Sequence, residues 1–216
     1  MIVDWQEIDT VMLDMDGTLL DLHYDNFFWK TFLPKAYAEQ FQISLNEALT
    51  ILIPKFQEKE GQLDWYCTDY WTNALGIDVI SLKKQIVGKI QFRPGAELFL
   101  KHLNQQKKSV WLVTNAHRDV LKIKGEQLLL LPYFEHIISS HDFSQPKESQ
   151  LFWQQLKQNF LFNEKRTLFI DDSLSVLRSA QEFGIEHLFT VSHPDSLTTP
   201  KETEEFKSTN DFSELF

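Results

Sequence analysis

The stretch TVMLDMDGTLLD, residues 10–21, runs a short apolar segment into two acids separated by a single residue. Val11, Met12 and Leu13 have the unbroken apolar character of a strand covered on both faces. Asp14 and Asp16 then set two carboxylates at its end, ahead of Gly17 and Thr18. Like charges that close repel, so the arrangement calls for a cation or a shared proton. An EF-hand loop is excluded, because Leu19 and Leu20 do not follow the residue pattern of that loop.

Four more runs share that strand character: SVWLVT at 109–114, HIISS at 136–140, TLFIDD at 167–172 and HLFTVS at 187–192. Helix patterns separate them. RPGAELFLKHLNQQ puts Pro94 at a first helical position, with Leu98, Phe99 and Leu103 on one face. HRDVLKIKGEQLLLL follows the second run, and KESQLFWQQLKQNF spaces Phe152, Leu156 and Phe160 four apart. SLSVLRSAQEFG begins on Ser173 as a cap and stops at Gly184. Strands alternating with helices predict a Rossmann-like α/β core with a parallel sheet.

One interval breaks the rhythm. From 21 to 91 the patterns are helical only, so the expectation is an α-helical cap inserted after the first strand, over a core made of 1–20 and 92–216. Within it, 26–40 is aromatic-rich. Ser44 and Glu47 form a capping box, and Pro54 is expected to kink or end the helix that follows. A helix carrying DWYCTDYW covers 64–75 up to Gly76, and a last one covers 81–90. The polar tail from His193 onward, with Pro194 and Pro200, reads as surface loop.

The 216 residues suit such an arrangement, and 43% hydrophobic content is enough for a core. A net charge of −10 argues against polymeric nucleic acid, whose affinity comes largely from Lys and Arg on phosphates. A small anion would need a local positive centre. The single cysteine, Cys67, excludes an intramolecular disulfide and a Cys-based zinc cluster. The acidic N-terminus does not resemble a secretory signal, and no segment approaches the roughly eighteen apolar residues of a membrane span. The expected location is therefore cytoplasmic, away from membranes. With 18 Phe and 6 Trp, some rings are expected to line a pocket as well as a core.

Ligands of parallel α/β sheets bind at the carboxyl ends of the strands. Asp14 and Asp16 end the first run, Thr114 and Asn115 the second, and Asp171 and Asp172 the fourth, while Lys147 follows the third. Gathered at one edge, these groups suit phosphoryl transfer. Several charged oxygen ligands describe a Mg²⁺ site that shares a substrate phosphate. Lys147 and the metal offset a phosphate dianion, and the Thr114 hydroxyl with nearby amides bonds its oxygens. One carboxylate is free to attack phosphorus, and a second to move protons.

DMDGT, a Thr closing the second run, a Lys before a helix and a late DD resemble, in order, the four motifs of the haloacid-dehalogenase-like superfamily. The resemblance implies Asp14 as nucleophile and Asp16 as general acid/base, with the Asp16 backbone carbonyl on Mg²⁺. It implies Thr114 and Lys147 on the phosphate, and Asp171 and Asp172 completing the metal site, Asp172 as the direct ligand; Asn115, at the same strand end, is a further candidate to bind the phosphate. Family dehalogenases lack the second acid, so Asp16 favours a phosphatase. DTVMLDMDGTLLDLHYDNFFW, LDWYCTDYW, LVTNAH, PKE and RTLFIDDS further resemble the bacterial GMP/IMP 5′-nucleotidase branch. That implies a purine mononucleotide as substrate.

Each motif has a plainer reading. An isolated Asp-x-Asp occurs in many loops, the Asp171–Asp172 pair suits a helix N-terminus, and Lys147 alone is a surface lysine. Their shared order is what favours function. His117 reads as structural or as a substrate edge. Trp65, Tyr66, Tyr70 and Trp71 read as helix packing, although one or two of them, or Phe27, Phe28 or Trp29, are candidates to touch a nucleobase. Within the same fold, a sugar phosphate, phosphoglycolate or a phosphomutase reaction remains an alternative. From another class comes a phospho-aspartate signalling module, disfavoured because its acidic pair comes early in the chain and here comes late.

Overall fold

The computed structural model describes residues 3–216. Its frame is a six-stranded sheet built from β1 (Thr10–Leu13), β2 (Ser109–Thr114), β3 (His136–Ser139), β4 (Thr167–Ile170), β5 (His187–Val191) and β6 (Lys207–Thr209). All pairings are parallel and the order is β3-β2-β1-β4-β5-β6. β1 lies inside, with Leu13 level with Leu112 on one neighbour and Ile170 on the other.

The period of two along a strand splits β1 between two cores. Val11 and Leu13 join Leu112, Leu168 and Ile170 on one face, while Met12 joins Trp111, Val113 and Phe169 on the other. The helices divide accordingly. α1 (His23–Phe27) passes through a π-helical turn, Phe28–Phe32, into α2 (Leu33–Phe41). Then come α3 (Leu45–Lys59), α4 (Leu63–Tyr66), α5 (Thr68–Leu75) and α6 (Val79–Gln85). These, with α7 (Ala96–Gln105) and α8 (Arg118–Leu128), send side chains to the first face. α9 (Gln150–Asn159) and α10 (Leu174–Phe183) cover the second with Phe152, Trp153, Leu156, Val176 and Leu177.

The expected all-helical interval between β1 and β2 is present. Its two ends cross side by side: Asp21 N donates to Gln91 O at 2.9 Å, Arg93 N donates to Leu19 O at 2.8 Å, and Leu20 forms an antiparallel bridge with Phe92. Among the described residues, no helix is long and apolar enough to cross a membrane.

Several local expectations need correction. α3 does not end at Pro54 but continues to Lys59. Pro54 and Thr50 face solvent, so the Thr50 carbonyl that loses its intrahelical donor reaches water. The capping box ahead of it is formed as expected, Ser44 N donating to Glu47 Oε2 at 2.9 Å. The 64–75 helix is two helices parted at Cys67, whose backbone is extended. α7 starts two residues beyond Pro94, behind Gly95 in a left-handed conformation. A Cβ at Gly95 would lie within 2.5 Å of the Ser213 backbone nitrogen, which only glycine avoids. Leu98 is 60% exposed; Phe99, Leu100 and Leu103 form the buried face instead.

The tail is not a surface loop. It supplies β6 and a closing 3₁₀ turn, Phe212–Leu215, and buries Phe206, Phe212 and Leu215. β6 is three residues of Lys-Ser-Thr on the sheet edge, a composition without strand signal.

Candidate active site

Backbone pairing carries the acids past the strand ends. Asp14 N donates to Ile170 O at 3.0 Å and Asp171 N to Phe189 O at 3.2 Å, so each carboxylate emerges at the carboxyl edge of the sheet. All seven residues expected at the site, Asp14, Asp16, Thr114, Asn115, Lys147, Asp171 and Asp172, line one cavity of about 470 Å³. That lies within the usual range of roughly 300–1,000 Å³ for small-molecule sites.

Lys147 is the organising cation. Its Nζ donates to Asp14 Oδ1 at 2.5 Å, to Asp171 Oδ2 at 2.6 Å and to Val113 O at 3.0 Å. It is 1% exposed, and the two acids raise its pKa despite burial. Carboxylate oxygens of Asp14, Asp171 and Asp172 lie within 4.8 Å of one another. One ammonium cannot balance three acids there. Burial pushes the Asp14 carboxyl up to about 6 and, with Asp171 adding repulsion, Asp172 up to about 8. Three converging hard oxygen donors with a charge deficit fit a divalent cation that prefers oxygen.

The glycine of DMDGT has a steric task. Gly17 has φ +85°, and a Cβ there would stand 2.7 Å from Asp172 Cγ. Only a residue without a side chain lets the two acidic loops approach so closely.

Asn115 acts on its neighbours. Its Oδ1 accepts from Lys147 N at 2.9 Å, and its Nδ2 donates to Glu148 Oε2 at 3.0 Å. Tyr66, from the helical insertion, donates its hydroxyl to Glu148 Oε1 at 2.9 Å. The Thr114 hydroxyl accepts from Ala116 N at 3.0 Å. His117 caps α8, and its Nδ1 lies 2.9 Å from Thr68 Oγ1 on α5, so it ties the insertion to the sheet while lining the cavity.

Asp16 stands apart from the other acids. Lys124 Nζ donates to its Oδ1 at 2.5 Å and equally to Asp25 Oδ2 at 2.5 Å; Lys83 Nζ reaches Asp25 Oδ1 at 3.0 Å. Burial pushes Asp16 up to about 6. Burial acts upward on Asp25 too, but Lys124 and Lys83 together hold it down to about 2. None of these three partners was expected from the sequence. The signal was there: Val79, Lys83 and Ile86 share one helix face, as do Val120, Leu121 and Lys124, so both lysines occupy apolar-stripe positions.

The far wall of the cavity is apolar and comes from the insertion. Trp29, Ile53, Phe56, Trp65 and Tyr66 line it, with Lys30 and Gln57 among them. Of the other aromatic candidates, Phe28 and Trp71 are buried in the core, and Phe27 and Tyr70 pack against it.

Comparison with known proteins agrees with this geometry. Residues 8–184 match the family described as haloacid dehalogenase-like hydrolase. The chain is 36% identical over 213 residues to the GMP/IMP nucleotidase YrfG of Escherichia coli, covering 99% of this chain and 96% of that one; a Shigella flexneri relative of the same name matches equally. Among solved structures, a HAD phosphatase from Thermococcus onnurineus superposes with TM-score 0.79 at 20% identity over 96% of both chains. CbbY from Rhodobacter sphaeroides, solved in complex with phosphate, gives TM-score 0.69 at 13% identity over 96% of both. Those two likenesses speak for the fold, and the family match spans both acidic strand ends and the lysine between them. The chain belongs to the haloacid dehalogenase-like hydrolase family.

Proposed function

We propose that the protein is a Mg²⁺-dependent phosphomonoesterase that hydrolyses purine nucleoside 5′-monophosphates, GMP and IMP foremost. The observation that carries the chemistry is the bridging of Asp14 and Asp171 by a fully buried Lys147 beside a third carboxylate at the strand ends. The observation behind the substrate is an aromatic wall facing that charged floor, together with 36% identity along nearly the whole chain to a GMP/IMP nucleotidase.

In this reading, residues 21–91 form a cap over a core of 1–20 and 92–216. Asp14, Asp171 and Asp172, with the Asp16 backbone carbonyl, would hold Mg²⁺, which when bound offsets phosphate charge. Lys147 and the Thr114 hydroxyl hold phosphoryl oxygens, and Asn115 keeps the Lys147 loop in place. An Asp14 oxygen attacks phosphorus and forms an acyl phosphate as the ester P–O bond breaks. Asp16, as the carboxylic acid, gives its proton to the leaving ribose 5′-oxygen. The resulting carboxylate takes a proton from water, whose oxygen attacks the phospho-aspartate and releases inorganic phosphate. Asp16 ends protonated and Asp14 free.

The test is phosphate release under saturating Mg²⁺ from GMP, IMP, AMP, glucose 6-phosphate and phosphoglycolate, with Asp14→Asn as control. GMP and IMP are expected to give the highest kcat/KM, and the variant to lose about 10³-fold or more. Faster hydrolysis of the sugar phosphate or phosphoglycolate would overturn the substrate assignment. A long-lived phospho-Asp14 without turnover would replace the enzyme with a signalling module.

A further inference from the structure

Four ionisable side chains from four different elements form one continuous chain of alternating charge. Lys83 lies on α6, Asp25 on α1, Lys124 on α8, and Asp16 follows β1. The successive contacts are 3.0, 2.5 and 2.5 Å. Both lysines are buried, at 2% and 1% exposure. Aromatic rings close the surroundings: Tyr24 lies 4.9 Å from Lys124 Nζ and 5.1 Å from Lys83 Nζ, and Phe28 lies 4.3 Å from Lys83 Nζ. The Tyr24 hydroxyl donates to Lys83 O at 3.0 Å, which fixes the ring between the two ammonium groups.

This differs from the Lys147 cluster in one respect. There, a single cation serves several acids; here two cations and two anions balance, and no ligand is required for neutrality. A charge-balanced chain drawn from four parts of the fold and ending on one carboxyl is a device for holding that carboxyl. It holds it by one oxygen. Lys124 engages Oδ1, and among the described residues nothing in the protein bonds Oδ2. Asp16 lines the cavity with 22% of its side chain exposed.

We propose that Asp25 and Lys124 are positioning residues for Asp16, anchoring Oδ1 so that Oδ2 is presented to the leaving group, and that they do so only while α1 and α6 are seated on α8. The proposal rests on the reading of Asp16 as the acid. Two of the four links sit in the helical insertion and two in the sheet region. Lifting the insertion therefore separates Asp25 from Lys124 and leaves an N–H donor of a buried ammonium without its acceptor. Lys124 loses the contact that sets its direction, and Asp16 its anchor. The acid is in place when the helices are, and not otherwise.

The leaving group separates positioning from simple structural support. An alkoxide such as the 5′-oxygen of GMP needs a proton as it departs, whereas p-nitrophenolate does not. Single-turnover release of guanosine from GMP and of p-nitrophenol from p-nitrophenyl phosphate is measured for wild type, Asp25→Asn and Lys124→Met. Both variants are expected to slow the first reaction by about 10²-fold, in line with the contribution of a general acid, and the second by no more than about twofold. Equal loss with both substrates, or loss with neither, would overturn the proposal. Retained single-turnover release of p-nitrophenol reports an intact fold. If Asp25→Asn does not fold, Lys83→Gln cuts the far link alone and is expected to give a smaller loss of the same selectivity; no selectivity there overturns the proposal. Asp16→Asn keeps the two readings apart. Should it release guanosine at the wild-type rate, the acid assignment itself fails, whatever the Asp25 variant does.

Discussion

The ammonium of Lys147 sits 2.5 Å from Oδ1 of Asp14, with both groups buried at the floor of the cavity. Without that ammonium, Asp14 and Asp171 would face each other as buried, unpaired acids. Lys147→Met is expected to abolish turnover and to destabilise the metal-free protein by about 3–5 kcal/mol, the usual cost of breaking a buried pair from one side. Mg²⁺ is expected to restore part of that stability by replacing the missing charge. Denaturant midpoints with and without Mg²⁺ check this.

The pH dependence of stability follows from Asp172. Burial raises its folded-state pKa to about 8, from an ordinary 3.8. The folded chain thus holds the proton more tightly than the unfolded chain. The contribution favours folding fully below about pH 4 and is lost as pH rises through 8. The thermal midpoint of metal-free protein is expected to fall across that window. Because the proton and a divalent cation compete for the same oxygens, the shift produced by Mg²⁺ should grow from pH 5 to pH 8. A Mg²⁺ effect independent of pH would contradict it.

Gly17→Ala places a methyl against the Asp172 carboxyl in a backbone conformation that alanine resists. Displacing a metal-site acid commonly costs about 10–100-fold in affinity or activity. Calorimetric titration with Mg²⁺ and turnover should both show a loss of that order.

The aromatic wall invites a test of base recognition. Trp65 lines the cavity and stacks on Trp29 with ring centroids 6.2 Å apart. Base–aromatic stacking is worth about 1–3 kcal/mol per base. Trp65→Leu is expected to raise KM for GMP by about fivefold or more while leaving KM for p-nitrophenyl phosphate unchanged. A common rise for both substrates would assign Trp65 to packing alone.

Phe212 tests the part of the fold that its sequence conceals. It is fully buried, and its ring centroid lies 5.4 Å from that of Phe99. Phe212→Ala should cost about 3–5 kcal/mol in urea unfolding, as for other buried aromatic truncations.

What could be read from the chain and what could not divide along physical lines. Strands covered on both faces are runs of apolar residues, so β1 to β5 announce themselves, and the acids that stop two of them mark the sheet edge. β6 does not, because an edge strand of Lys207, Ser208 and Thr209 is stabilised by its neighbour and by Phe206 and Phe212 beside it. The catalytic candidates were legible because their residue types are unusual where they stand. Asp25, Lys83 and Lys124 were not, since charged residues on helices ordinarily face water. Only the two lysines' place on an apolar stripe sets them apart, Asp25 carries no such signal, and pairing the three requires knowing which helices meet. Pro54 misleads for a similar reason: its cost depends on whether the freed carbonyl finds water, which the sequence does not state.

The two crossings between sheet and insertion, at 19–21 and 91–93, are hydrogen-bonded to each other along their length. A connection of that kind behaves as a door hinge: it swings about one axis and resists twisting, because a twist would tear the pairing. On the proposed reading of 21–91 as a cap, the aromatic wall would return to the same alignment over the strand ends at each closure. Registration of the two surfaces would then rest on a few main-chain contacts just beyond the Asp14–Asp16 loop.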